Sequence, residues 1–206
     1  MGKFFLGLLI AVGISYLAYR TQLLNRSGGI AAAILGTVVF SLGGIGWALV
    51  LLSFFFSSSL LSKLFKPLKQ ESEIKASKGS SRDGWQVLAN GGIAGFFTLV
   101  YFVFHRFSPE SSILPLLWVG FAASLAGANA DTWATELGLL NPHPPILIST
   151  LHRVPKGSSG AISFVGTLAS LGGSALIGVM AVFSMWMGWI PTGDANFWGT
   201  FALITA

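Results

Sequence analysis

The sequence predicts an all-α, polytopic transmembrane helix bundle of about six to seven spans with its N-terminus outside. Three observations carry that prediction. Hydrophobic residues make up 53% of the 206-residue chain and charged residues only 9%, against roughly 25% charged in soluble domains. Long apolar runs recur along the whole length, separated by short polar stretches. Basic residues gather in alternate connections rather than being scattered. The length fits a single membrane domain, 1–206. Cysteine is absent, which excludes disulfides, thiolate metal sites and cysteine nucleophiles. The net charge of +5 is the kind of balance seen in nucleic-acid binders. In so apolar a chain the positive-inside rule explains it better, so no nucleic-acid partner is expected.

The spans follow in order. The first covers about Phe4 to Tyr19 and, lacking a small-residue cleavage site, reads as a retained helix. The second and third share Ile30 to Leu61, folded back near Gly43, Gly44 and Gly46. The fourth runs from about Trp85 to Phe104, the fifth from Ile113 to Ala130 and the sixth from Ala161 to Met187. The closing run, Phe197 to Ala206, falls short of the roughly 20 residues that a spanning helix needs.

Charge orients these helices. Arg20 and Arg26 follow the first span, Lys63, Lys66, Lys69, Lys75, Lys78 and Arg82 the third, and Arg153 and Lys156 the fifth. All three connections fall on one side, which the positive-inside rule makes cytoplasmic. Two polar segments therefore share that face: the hydrophilic loop 63–84 and the stretch 131–160. No transit segment for a plastid is visible, so the expected setting is a prokaryotic plasma membrane or a thylakoid membrane.

The stretch 126–160 carries the chemistry. If Ala126 to Leu139 is helical, Asn129, Asp131, Thr132, Thr135 and Glu136 project from one broad side. Asn129, Thr132 and Glu136 fall nearly in line, and Asp131 and Thr135 form a second row. At about 100° per residue, Asp131 and Glu136 point roughly 140° apart. One ion held by both would require the helix to unwind or other groups to bridge them. Carboxylates at membrane depth normally face a partner, a cavity or an ion. They read here as a Mg²⁺ site, with a hydrogen-bond cluster between helices as the alternative. Glu136 also suits a general base, and spacing does not separate these roles.

Further along, Val154 to Ser163 reads VPKGSSGAIS and leads into the sixth span. Ser158, Ser159 and Gly160 are thereby expected at a helix N-terminus, where free N–H groups and the helix dipole favour an anion. The order is not that of a Walker A loop. Its pairing with Arg153, Lys156 and the acidic stripe points to phosphate. His143 and His152 lack metal-site spacing and read as surface residues.

Gln86 and Asn90 lie one turn apart at the start of the fourth span, before Gly91 and Gly92. They suit helix packing, or an Asn90 oxygen near substrate or metal. Ser57, Ser58 and Ser59 are expected to cap the end of the third span, with a bond to phosphate as the alternative. In the loop that follows, Lys63, Lys66 and Arg82 are the cations best placed to reach a nucleotide phosphate, with headgroup contact as the alternative.

The segments ADTWATELG at 130–138, Pro145 with Ile148, RVPKGSSGAIS at 153–163, LNRSGGIAAAILG at 24–36 and QVLANGG at 86–92 together carry a resemblance. The chain resembles the integral-membrane family that includes plant phytyl phosphate kinase. The motif order is also similar to polyprenol kinases and to membrane CTP-dependent cytidylyltransferases. The resemblance implies a membrane-embedded isoprenyl phosphate kinase. Such an enzyme passes a phosphoryl group from CTP, or another nucleoside triphosphate, to a lipid monophosphate such as phytyl phosphate. The diphosphate formed would serve the prenylation of tocopherol or quinone precursors. It further implies metal binding at Asp131, with Glu136 beside it, and nucleotide phosphate at Arg153, Lys156, Gly157 and Gly160. Asp131, Glu136 and Lys156 are the expected catalytic groups. Asn90, Asn129, Thr132, Thr135, Ser158, Ser159, Lys63 and Arg82 are the expected binding groups. The family pattern often has glycine where this chain has Ser158 and Ser159. Mg²⁺, the nucleotide, the isoprenyl phosphate and the bilayer are the expected partners, with a homo-oligomer a further option. Two other readings stay open: a cytidylyltransferase making a CDP-lipid, and an ion-coupled transporter using Asp131 and Glu136.

Overall fold

Apolar helices in a bilayer satisfy their backbone internally, so the long runs of the sequence become helices. The computed structural model describes residues 2–65, 81–190 and 196–206. Helix α1 (Gly2–Arg20) leads into α2 (Arg26–Val38), which continues as a π-helical turn, Val39–Gly43. Gly44, with φ 87°, turns the chain into α3 (Ile45–Leu64). Then follow α4 (Gly84–Phe107), α5 (Ile113–Gly138), a two-strand hairpin of β1 (Ile146–Leu147) and β2 (Ala161–Ile162), α6 (Phe164–Trp186) and the short α7 (Phe197–Thr205). Among the described residues, five helical stretches are long and apolar enough to cross a membrane, from Arg26–Gly43 to Phe164–Trp186. The apolar part of α1 is shorter, as is α7.

Two boundaries differ from the sequence reading. Helix α5 does not stop at Ala130 but runs unbroken through the polar stripe to Gly138. Helix α6 begins at Phe164 rather than Ala161, because Ala161 and Ile162 pair with Leu147 and Ile146 in the hairpin. Ser163 then caps α6 by accepting from the Gly166 N–H. The loop cations Lys66, Lys69, Lys75 and Lys78 lie outside the described residues.

Helix α5 is the hub: it packs against α3, α4, α6 and α7. Trp47 of α3 meets Phe121 and Trp118 of α5 at ring centroids of 4.4 and 5.2 Å, and Tyr101 of α4 at 4.7 Å. Helix α6 reaches α5 closely because Gly173 leaves room for the Asn129 carbonyl and Trp133.

The basic connections converge at one end of the bundle. Arg82 donates its N–H to Leu23 O and accepts from the Asn25 N–H, both at 3.0 Å, joining the α1–α2 link to the start of α4. Asn25 caps α2, and Asp83 with Gln86 forms a capping box on α4. Gly28 is needed here because a β-carbon would run into the Arg82 carbonyl.

Gly28→Ala is therefore expected to destabilise the purified protein by about 1–3 kcal/mol through overpacking. Gly92→Ala, where a β-carbon meets nothing within 4 Å, should be neutral or stabilising by up to about 1 kcal/mol, as expected inside a helix. Thermal melting of the two variants in one detergent checks the contrast.

Candidate functional site

The polar end of α5 presents two different faces. Asp131 and Thr135, one turn apart, are exposed on the side of α6 and the hairpin. They line a cleft of about 680 Å³ together with Lys156, Gly157, Ser158, Ser159 and Gly160 of the loop. Ser163, the cap of α6, and Thr167 and Ser170 within α6 complete its polar lining, with Leu139, Pro145, Ile148 and Ile162 as apolar walls. Glu136 points the other way. It is only 4% exposed, and its Oε1 accepts from the Ser62 hydroxyl of α3 at 2.8 Å. Because α5 stays helical throughout, the roughly 140° between the two carboxylates is realised, and they do not face one ion together. No cluster of three or more metal-binding side chains occurs among the described residues.

The loop gains its shape from its own hydrogen bonds. Ile148 donates to Gly160 O at 3.2 Å, Leu147 to His152 O at 2.9 Å and Val154 to Pro145 O at 3.0 Å. Gly157 and Gly160 both take positive φ, 86° and 75°, a conformation that costs glycine little. Ser158 is consumed by the turn, since its N–H and hydroxyl both donate to Pro155 O. Among the described residues, none accepts a hydrogen bond from the N–H groups of Gly157, Ser159 and Gly160. Backbone donors so placed in a glycine turn are of the kind that can hold an anion. Ser158 to Gly160 thus precede β2 and do not form the first turn of α6, as the sequence had suggested.

Lys156 Nζ donates to Leu139 O at 3.0 Å, which ties the loop to the carbonyl end of α5. An ammonium has three donors, so this tether leaves others for a ligand in the cleft. Arg153 is exposed, bridges Ile146 through its backbone and does not line the cleft. His143 and His152 are likewise exposed and outside it.

Several predicted binding groups are held within the bundle. Asn129 is 0% exposed: its Nδ2 donates to Gly173 O of α6 at 2.9 Å, and its Oδ1 accepts from Ser57 of α3 at 3.0 Å. Thr132 donates back to Ala128 O. Ser57 and Ser58 lie inside α3 rather than at its end, and Ser58 donates to Phe54 O. Asn90 and Gln86 line an inner slot with Arg82, away from the cleft. Arg82 lies on the Glu136 side, and burial lowers its guanidinium from its ordinary value while the Glu136 carboxylate opposes that shift. Lys63 lines a small chamber beside Arg82. The sequence reading missed Ser163, Thr167 and Ser170, although their spacing of four and three residues marks one helical face.

Residues 9–206 match the DUF92 integral membrane protein family. The chain belongs to this family. That membership agrees with the motif resemblance to the family that includes plant phytyl phosphate kinase. The chain is 32% identical over 177 residues to Protein PGR of Arabidopsis thaliana, covering 83% of this chain and 61% of that protein. It is 31% identical over 179 residues to an uncharacterized membrane protein of Methanocaldococcus jannaschii, covering 86% and 69%. Protein VTE6, chloroplastic, of Arabidopsis thaliana is 28% identical over 163 residues, covering 78% of this chain and 47% of that protein. The chain thus spans about half to two thirds of the length of these relatives. No solved structure matches it.

The two faces of α5 predict different mutant behaviour. Asn129→Ala removes the cross-helix hydrogen bonds to the half-buried Ser57 hydroxyl and the buried Gly173 carbonyl and should cost about 1–3 kcal/mol. Asp131→Asn changes an exposed side chain and should melt within about 0.5 kcal/mol of the wild type. Denaturation in detergent, followed by tryptophan fluorescence, measures both.

Proposed function

We propose that this DUF92 protein is a lipid-phosphate kinase. It moves the terminal phosphoryl group of CTP, or another nucleoside triphosphate, to an isoprenyl monophosphate such as phytyl phosphate. The observation that carries the reading is the cleft, which combines an exposed carboxylate, Asp131, with Lys156 and the unengaged N–H groups of Gly157, Ser159 and Gly160. The family's inclusion of plant phytyl phosphate kinase favours an isoprenyl acceptor. The basic end of the bundle is placed in the cytoplasm by the positive-inside rule, where the nucleotide is available.

In this mechanism the loop N–H groups and Lys156 hold the nucleotide's phosphate oxygens and neutralise the charge that builds during transfer. Mg²⁺ fits Asp131, since that ion takes one or two carboxylates and completes its shell with phosphate and water. Bound there, it would supply charge neutralisation across neighbouring phosphate oxygens. An oxygen of the lipid phosphate bonds to the terminal phosphorus as the bridging P–O bond breaks, giving lipid diphosphate and nucleoside diphosphate. The acceptor oxygen is already ionised, so no strong base is required. Positioning and electrostatics do most of the work, as in phosphoryl transfer generally. Ser163, Thr167 and Ser170 mark the groove along α6 by which the acceptor phosphate approaches. The product would supply prenylation of tocopherol or quinone precursors.

Protein in nanodiscs with phytyl monophosphate, Mg²⁺ and γ-labelled CTP is expected to form labelled lipid diphosphate. Asp131→Asn and Lys156→Gln should each lower kcat by about 10²–10³, the scale of losing one transition-state contact. Label from α-labelled CTP entering the lipid would instead identify cytidylyl transfer, and no lipid product with any nucleotide would defeat the kinase reading.

A further inference from the structure

The hairpin that carries the glycine loop also has an outer side, which takes no part in the cleft. Its tip is the turn 147–152, closed by the Leu147 N–H to His152 O at 2.9 Å and the Leu151 N–H to Leu147 O at 2.8 Å. Leu151 ends that turn with φ 57°. Glycine and asparagine fill this left-handed region at least cost, and a bulky side chain seldom enters it. Little among the described residues covers the leucine, which is 79% exposed and does not line the cleft. Backbone outliers of this kind gather where function uses them.

Leu151 is the end of an apolar track. Ile146 and Ile162 pair directly across the two strands, and both are exposed. Residues paired in this way share one face. Phe164 then opens α6 with 74% of its surface exposed, and Leu168 and Leu171 continue the track at spacings of four and three along one side of the helix. Helix α6 is one of the stretches able to cross a membrane. Its 23 residues span roughly 35 Å, more than the hydrocarbon layer of about 30 Å. The first turn of α6 therefore lies at the edge of that layer. Trp85, exposed in the first turn of α4, marks the same edge, since tryptophan gathers at the membrane–water interface. Arg153 follows the tip by two residues, exposed and outside the cleft.

We propose that this hairpin is a membrane-surface anchor. Leu151 dips into the adjoining leaflet where headgroups meet acyl chains, and Arg153 lies among the headgroup phosphates. An apolar side chain beside a cation matches those two layers. The occupant is bilayer phospholipid and not a second copy of the chain, because the track runs unbroken from the membrane-crossing side of α6. The anchor holds Ile148 and Ile162, at the rim of the cleft, at headgroup level. It does not depend on the kinase reading, because depth in the bilayer is measured without any reaction.

The chain has no cysteine, so Thr150→Cys creates a single labelling site beside the tip and outside the cleft. The full chain, carrying the polarity-sensitive dye NBD there, is placed in nanodiscs of phosphatidylcholine and phosphatidylglycerol. Some of the lipid bears a nitroxide, either near the headgroup or near the chain end. The shallow nitroxide is expected to quench the dye more than the deep one, and aqueous iodide only weakly. The same dye at Ile93→Cys, an exposed position well inside α4, should show the opposite preference. Added to Thr150→Cys, Leu151→Gly suits the turn, so the melting temperature in detergent should hold or rise. The ratio of lipid-buried to water-exposed dye should nevertheless fall about tenfold or more, the worth of burying one leucine. Leu151→Asn should behave alike, and Leu151→Phe should keep the quenching. Arg153→Gln should lower the ratio about fivefold, as for one basic residue at an anionic surface. A dye open to iodide and untouched by either nitroxide overturns the proposal. Unchanged ratios in folded Leu151→Gly and Arg153→Gln proteins overturn it as well. So does a disulfide joining two copies at position 150 with the dye shielded from lipid, which would give this face to a second copy.

Discussion

The buried amide of Asn129 sets the geometry of everything at the polar end. It takes a hydroxyl from α3 and gives an N–H to a carbonyl of α6, so it fixes the rotation of α5 against both neighbours. No water is at hand in an apolar interior to replace either bond, and an unpaired amide there costs several kcal/mol on the order of its transfer energy. A turn of α5 about its axis would break both bonds at once. With the helix so fixed, Asp131 must open onto the cleft and Glu136 must turn toward Ser62 and Arg82. Two carboxylates five residues apart thereby enter different environments, one wet and one enclosed.

The connections reinforce that division. The loop 148–160 is closed by the β1–β2 pairs and tethered to α5 by Lys156, which also complements the negative end of the helix dipole. It can therefore present backbone donors to the cleft on a short, fixed frame. On the opposite side the backbone of Arg82 is stapled to the α1–α2 link, with Gly28 leaving the space this needs. The half-buried Arg82 guanidinium lies on the same side of α5 as the buried Glu136 carboxylate.

The helices were legible in the sequence because hydropathy and length decide them in a bilayer. The angular split between Asp131 and Glu136 was legible too, since it follows from helical period alone. Pairings across distant segments were not. Nothing local to Ser57 announces that Asn129 lies opposite it, so the serines of α3 read as caps. Arg82 and Lys63 looked like candidates for the same phosphate as Lys156, since charge and loop position do not reveal which side of α5 they reach. The start of α6 was misplaced for a related reason: the pairing of Ala161 and Ile162 with β1 depends on a partner 14–16 residues earlier. Ser163, Thr167 and Ser170 follow a helical spacing that was available and passed over.

In this account α5 keeps the Asp131 cleft, proposed for the nucleotide, apart from Glu136, Lys63 and Arg82 on its other side. The most direct measurement is photo-crosslinking with an azido-nucleoside triphosphate, followed by mapping of the attached peptides. The account predicts attachment within residues 131–170, abolished by excess unmodified nucleotide and weakened by Asp131→Asn. Attachment to residues 20–26 or 59–65, with the 131–170 region unlabelled, would contradict it.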